Sequence, residues 1–147
     1  VVNADKGDRT VTVTVDGSAR PNPGVRTVAG VVTVTAGDGE GRVVTTRHTF
    51  RDVIAGHGCN NSAELHAVLA GLQAVSGLDM GDAVVDVVTD SRVVVELVVE
   101  RANGRPTTAA LAPLVQAVRD QLQAHPRTTL RWRPRRHVAD ADALARG

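Results

Sequence analysis

Valine and threonine alternate through Val11-Thr12-Val13-Thr14-Val15, and the run stops at Asp16-Gly17-Ser18-Ala19-Arg20-Pro21-Asn22-Pro23-Gly24. A period of two marks a strand with one buried face, and the Gly, Pro and Asn cluster is turn chemistry. A first strand is therefore predicted over 9–16, with Asp16 at its end. The turn after it offers backbone N–H groups that could approach a phosphate. Residues 1–8 read as a polar lead-in. Two further strands, 25–35 and 42–51, flank Ala36-Gly37-Asp38-Gly39-Glu40-Gly41, and Asp-Gly between strand patterns signals a hairpin. Those glycines are spaced somewhat like a dinucleotide loop, but no strand–loop–helix unit follows.

Beyond the glycine-rich connector Ala55–Asn60 the period changes. Leu65, Val68, Leu69, Leu72 and Val75 form one apolar helical stripe. Asn61 is a candidate N-cap with Glu64 three residues on, as in a capping box, and Gly77 is a stop. Val84–Thr89 reads as a buried strand ending in Asp90. Ser91–Ala102 is rich in valine, yet its length, its Asp90-Ser91 start and its Asn103-Gly104 stop favour a helix. Pro113 opens another helix with a stripe of Leu114, Val115, Val118 and Leu122, and Pro126 closes it. A last strand over 128–133 and a short helix over 140–146 complete the order βββαβαβα. Hairpin-paired strands followed by helix-joined ones imply an α/β fold, a mixed five-stranded sheet flanked by helices. No linker or repeat breaks 9–147, which reads as one domain.

Composition narrows the function classes. With one Phe, one Trp and no Tyr among 147 residues, valine, alanine and leucine must fill the core. The net charge of +1 argues against a globally basic nucleic-acid coat, though not against a local patch. Cys59 is the lone cysteine, so neither an internal disulfide nor a cysteine-based zinc module is available. His48, His57, Cys59 and His66 are spaced too irregularly for a zinc site. No apolar run is long enough for a membrane span, the first six residues do not resemble a signal peptide, and a reducing cytoplasm is the expected setting. Arg127, Arg131, Arg133, Arg135 and Arg136 surround Trp132; they read equally as a phosphate- and base-binding patch or as a solvated strand edge.

Three carboxylates fall at element ends: Asp16, Glu64 and Asp90. A fourth, Asp142, lies in the last helix. Central strands of a mixed sheet can be neighbours, and converging carboxylates call for hard cations such as Mg²⁺. Each acid also has a purely structural explanation. Asp16 would start a turn, Glu64 would complete a capping box, Asp90 would cap a helix, and Asp142 or Asp140 would lie on an exposed face.

Taken jointly, Asp16-Gly17-Ser18…Asn22-Pro23-Gly24, Asn60-Asn61-Ser62-Ala63-Glu64-Leu65, Thr89-Asp90-Ser91 and Ala141-Asp142-Ala143-Leu144-Ala145 resemble the type 1 ribonuclease H family, in family order. The resemblance implies a ribonuclease H-like fold and metal-dependent endonucleolytic cleavage of the RNA strand of RNA–DNA hybrids, leaving 5′-phosphate and 3′-hydroxyl ends. It implies two Mg²⁺ ions, which Mn²⁺ could replace. Asp16 would bridge both, Glu64 and Asp90 would bind one, and Asp142 the other. It also implies hybrid contacts from Gly17, Ser18, Asn22, Cys59, Asn60, Asn61, Ser91 and Arg92, with Glu64 near the 2′-hydroxyl. A monomer without an obligate protein partner is expected.

The chain departs from the family pattern in places. Trp132 stands where many members carry a loop histidine, and Trp132–His137 is more similar to a short-loop branch that has asparagine where this chain has Val138. His137 is then an auxiliary candidate for proton transfer or product release. Cys59 replaces a threonine common near a phosphate pocket. The short segment 101–105 lacks a basic protrusion, which implies weaker hybrid binding. Two rivals remain: another nuclease or transposase-like enzyme on this fold, and a non-cleaving hybrid-binding module.

Overall fold

The computed structural model describes residues 9–78, 81, 83–100 and 108–146. The lead-in 1–8 and the segment 101–105 lie outside the described residues. The five strands are β1 (Thr10–Arg20), β2 (Gly24–Gly37), β3 (Val43–Gly58), β4 (Val84–Thr89) and β5 (Thr128–Trp132). They form one sheet in the order β3-β2-β1-β4-β5. β1 pairs antiparallel with β2, and β2 with β3, whereas β4 is parallel to both β1 and β5. The helices are α1 (Asn60–Gly77), α2 (Arg92–Val95, continuing as a wider π turn over Glu96–Glu100), α3 (Ala112–Ala124) and α4 (Ala139–Arg146). The mixed five-stranded α/β architecture is as the periodicity predicts, and with two helices, α2 and α3, between β4 and β5 the full order is βββαβααβα.

Boundaries shift where backbone pairing overrides the side-chain pattern. β1 does not stop at Asp16; its ladder with β2 runs on to Arg20↔Val25, and the turn falls at Pro21–Pro23. β3 likewise absorbs most of the expected glycine connector. β2 offers pairing partners as far as Gly24↔Gly58, a bulge shifts the register between Val25 and Arg26, and Gly56 takes φ +79° nearby. The Asp38–Gly41 hairpin forms as expected: Asp38 Oδ1 accepts from the N–H groups of Glu40 (2.8 Å) and Arg42 (3.1 Å).

Valines from β1, β2 and β4 make the core, with Leu65, Val68 and Leu72 of α1 and Val115 and Val118 of α3 set against them. Small residues compensate for the scarcity of aromatics by drawing the layers together. A Cβ on Gly71 would lie 2.9 Å from Val15 Cγ1 and 3.0 Å from Val13 Cγ1, so α1 rests directly on β1. α2 forms despite its β-branched residues because Val94, Val95, Leu97 and Val98 are buried, and burial outweighs their weak helix propensity. Arg119 of α3 donates to the Leu97 and Val98 carbonyls at the wide turn, at 2.6 and 3.1 Å. On the other face of the sheet, α4 lies over β1 and β2 and is fastened to β3. Arg47 pairs with Asp140 at 2.8 Å, and Arg51 Nε donates to the Leu144 carbonyl at 2.9 Å.

Candidate active site

Adjacent parallel strands bring the first two acids together. The β1–β4 ladder ends at Thr14↔Val88, so Asp16 and Asp90 each stand two residues past the same pair. Alternation turns Val13, Val15 and Gly17 toward α1 and sends Asp16 to the face that carries α4. Glu64 arrives from just past the first turn of α1 through a contact that only glycine permits. A Cβ on Gly17 would sit 2.2 Å from the Ala63 carbonyl oxygen and 2.8 Å from the Glu64 nitrogen. At that approach the Gly17 N–H donates to Glu64 Oε1 at 2.6 Å. One oxygen from each of Asp16, Glu64 and Asp90 lies within 4.8 Å of the others. Asp142 of α4 lies close enough for its charge to raise the Asp16 pKa, which sets it beside the group.

Two of the structural explanations for the acids fail here. α1 starts at Asn60 with Cys59 as its N-cap residue, so Asn61 caps nothing and Glu64 belongs to no capping box. The reason is the Gly17 N–H, a partner on another element that takes the Glu64 carboxyl. Ser91, not Asp90, caps α2, its Oγ accepting from the Val94 N–H at 3.2 Å. That leaves the Asp90 side chain turned into the cluster.

Burial and mutual repulsion make Asp16 and Glu64 strongly proton-hungry. Asp16 is 5% exposed, and burial first, then the charges of Asp90 and Asp142, push its pKa from 3.8 to about 7. Glu64 rises from 4.5 to about 9, through burial first and then Asp16, against the opposing pull of the Gly17 N–H. A cation would neutralise this converging charge. The donor set is all oxygen, which fits a hard divalent ion.

The other residues singled out in the sequence divide into fasteners and surface groups. Asn22 Oδ1 accepts from the Asn60 N–H (3.0 Å), and Asn60 Oδ1 accepts from the Ala19 N–H (2.8 Å), tying the β1–β2 turn to α1. The N–H groups of Gly17 and Ala19 are therefore used inside the protein and are not free for a phosphate. Ser62 Oγ donates to the Cys59 carbonyl and accepts from Arg26. Ser18, Cys59 and Asn61 are half-buried near this junction, and the Ser91 hydroxyl is used by the α2 cap. His137 is exposed on the 3₁₀ turn Arg135–Val138, whereas Val138 is fully buried. The arginine cluster disperses: Arg131 pairs with Asp86, Arg133 reaches the Trp132 carbonyl, and Arg135 binds Asp90.

Three contacts escaped sequence reading. Trp132 Nε1 donates to the Asp90 carbonyl at 3.2 Å, Arg92 stacks on the Trp132 ring at 3.9 Å, and Arg135 Nε lies 3.1 Å from Asp90 Oδ2. They join residues about forty positions apart, and only the Thr89↔Trp132 pairing brings them together.

With this geometry in place, comparison with known proteins is decisive about kinship. The RNase H family model matches residues 8–134. The chain belongs to the RNase H family. It is a ribonuclease H enzyme by that membership, in a metal-dependent family, with a carboxylate cluster where the family's chemistry requires one. A comparison with curated protein sequences gives no match. Among solved structures, the chain is similar to the N-terminal RNase H domain of a Mycobacterium tuberculosis protein, solved as a fusion with maltose-binding protein. That likeness is 27% identity over 93% of this chain and 91% of that one, with a TM-score of 0.73. It is also similar to RNase H1 from the halophilic archaeon Halobacterium salinarum, at 28% identity over 93% and 95%, with a TM-score of 0.69. LC11-RNase H1, solved in complex with an RNA/DNA hybrid, shares the fold at 23% identity, over 93% and 94%, with a TM-score of 0.73. The family match ends before Asp142, whose place beside Asp16 is a matter of α4 docking. No helix among the described residues is long and apolar enough to cross a membrane.

Proposed function

We propose that this ribonuclease H cleaves the RNA strand of RNA–DNA hybrids endonucleolytically, leaving 5′-phosphate and 3′-hydroxyl ends. Asp16, Glu64, Asp90 and Asp142 are its catalytic, metal-holding acids. The observation that carries this reading is the convergence of carboxyls, with oxygens of Asp16, Glu64 and Asp90 within 4.8 Å of one another and Asp142 close enough to act on Asp16. Two Mg²⁺ ions are the cations of choice, with Mn²⁺ as a substitute; when bound they supply an activated water and stabilisation of the leaving oxygen. Asp16, central among the other carboxyls, would serve both ions, with Glu64 and Asp90 helping to hold one and Asp142 the other.

The protein's own groups orient the substrate. Glu64, anchored by Gly17, lies where a 2′-hydroxyl would distinguish RNA from DNA. The carbonyl ends of Asn22 and Asn60 are occupied, which leaves their NH₂ ends to donate to the hybrid backbone. Gly17 serves by anchoring Glu64 and not by a contact of its own N–H; Ser18, Cys59, Asn61, Ser91 and Arg92 complete the proposed contact surface, and His137, which is exposed, is the proposed helper in proton transfer or product release. The protein acts as a monomer of one domain over 9–147, in a reducing cytoplasm. A non-cleaving hybrid-binding module is the less favoured reading, because a binder gains nothing from four repelling acids at its centre.

The test is cleavage of an end-labelled RNA–DNA hybrid with Mg²⁺ or Mn²⁺, beside the same RNA single-stranded and in an RNA duplex. Cutting of the hybrid's RNA strand alone, lost in Asp16→Asn, is the expected outcome. Hybrid binding without cutting under either metal would replace this reading with the binding module.

A further inference from the structure

Asp90 is not shared only with other acids. Its side chain is 9% exposed, yet Arg135 reaches it with Nε 3.1 Å from Oδ2, from a side chain that is itself 68% exposed. Asp142 and Asp16 attract the same guanidinium. Arg135 stands at the start of the 3₁₀ turn leading into α4, so its head can leave Asp90 without disturbing a packed element. The acid is thus buried, whereas its cationic partner is solvated.

The geometry points to Arg135 as a resident counter-ion that occupies Asp90 in the metal-free enzyme and must be displaced when a divalent cation binds. The inference rests on the metal-holding role of the four acids proposed above. Such an arrangement has a definite sign. A residue that merely braced Asp90 would, on removal, weaken cation binding. A competing counter-ion, on removal, strengthens it, because Asp90 no longer exchanges one positive partner for another. Arg136, adjacent and exposed, has the same charge and provides the control for long-range effects.

Mg²⁺ binding to the full chain, in the absence of nucleic acid, decides the matter. Isothermal titration gives the affinity, and emission of Trp132, the lone tryptophan and a hydrogen-bond donor to the Asp90 carbonyl, gives a second readout. Neutralising Arg135 (R135Q) is expected to tighten Mg²⁺ binding on the order of fivefold, the yield of breaking one partly exposed ion pair. R135K is expected to stay near wild type, and R136Q to shift affinity far less than R135Q. Binding in R135Q that is unchanged or weaker than wild type overturns the inference, as does equal tightening by R136Q. A wild-type protein that binds no Mg²⁺ or Mn²⁺ at millimolar concentrations would sink the metal reading of the site, and this inference with it. Wild-type binding with the wrong response to R135Q sinks this inference alone.

Discussion

Removing the most crowded acid should stabilise the metal-free protein while destroying its catalytic site. Asp16 releases its proton near 3.8 when unfolded but only at about 7 in the fold. Between these values the folded state binds more protons than the unfolded one, so stability must fall as pH rises. Below about pH 4 the penalty is absent, and above about pH 7 it is complete. At ~1.4 kcal/mol per pH unit, the rise from 3.8 to about 7 costs the metal-free fold about 4 kcal/mol at alkaline pH. Asp16→Asn abolishes that titration but buries an amide in a pocket built for carboxyls, at a cost of about 1–2 kcal/mol at every pH. The variant should therefore be less stable than wild type near pH 4 and more stable by about 2–3 kcal/mol near pH 8. Urea unfolding in the presence of a chelator, repeated across that range, measures the crossover. Added Mg²⁺ should restore stability to wild type and do less for the variant, since cations neutralise what the mutation already removed. A stability difference that does not vary with pH, or that turns against the variant as pH rises, would refute the repulsion argument.

Three further outcomes are expected. Gly17→Ala should lose about 3 kcal/mol in thermal or urea unfolding, because its Cβ meets only backbone atoms of Ala63 and Glu64; hybrid cleavage should drop about a hundredfold as Asp16 and Glu64 separate. Val138→Asn, which installs the asparagine expected from the sequence resemblance, should fail to improve cleavage and should cost about 3 kcal/mol, since that side chain is fully buried; enhanced cleavage in a stable variant would contradict this. Trp132→Phe keeps an aromatic face for Arg92 but loses the bond to the Asp90 carbonyl, at about 1 kcal/mol. Its Mg²⁺-dependent rise in melting temperature should shrink, and an undiminished rise would show that Trp132 does not position Asp90.

By itself the sequence determined the element types and singled out four acids as candidates. These are local properties: the Val-Thr alternation of β1, the apolar stripe of α1 and the Asp-Gly hairpin each lie within a few residues of chain. The joint motif context then gave the acids a common purpose that none had alone. What the sequence left open was decided by partners distant along the chain. β1 runs on past Asp16 because β2 pairs with it as far as Arg20. Glu64 leaves the expected capping box because the Gly17 N–H, 47 residues away, takes its carboxyl. Arg135 and Trp132 look like members of one basic patch until β5 pairs with β4 and places both on Asp90. The raised affinities for protons are likewise tertiary, since burial and the field of neighbouring carboxyls exist only once two parallel strands, α1 and α4 have brought the acids together.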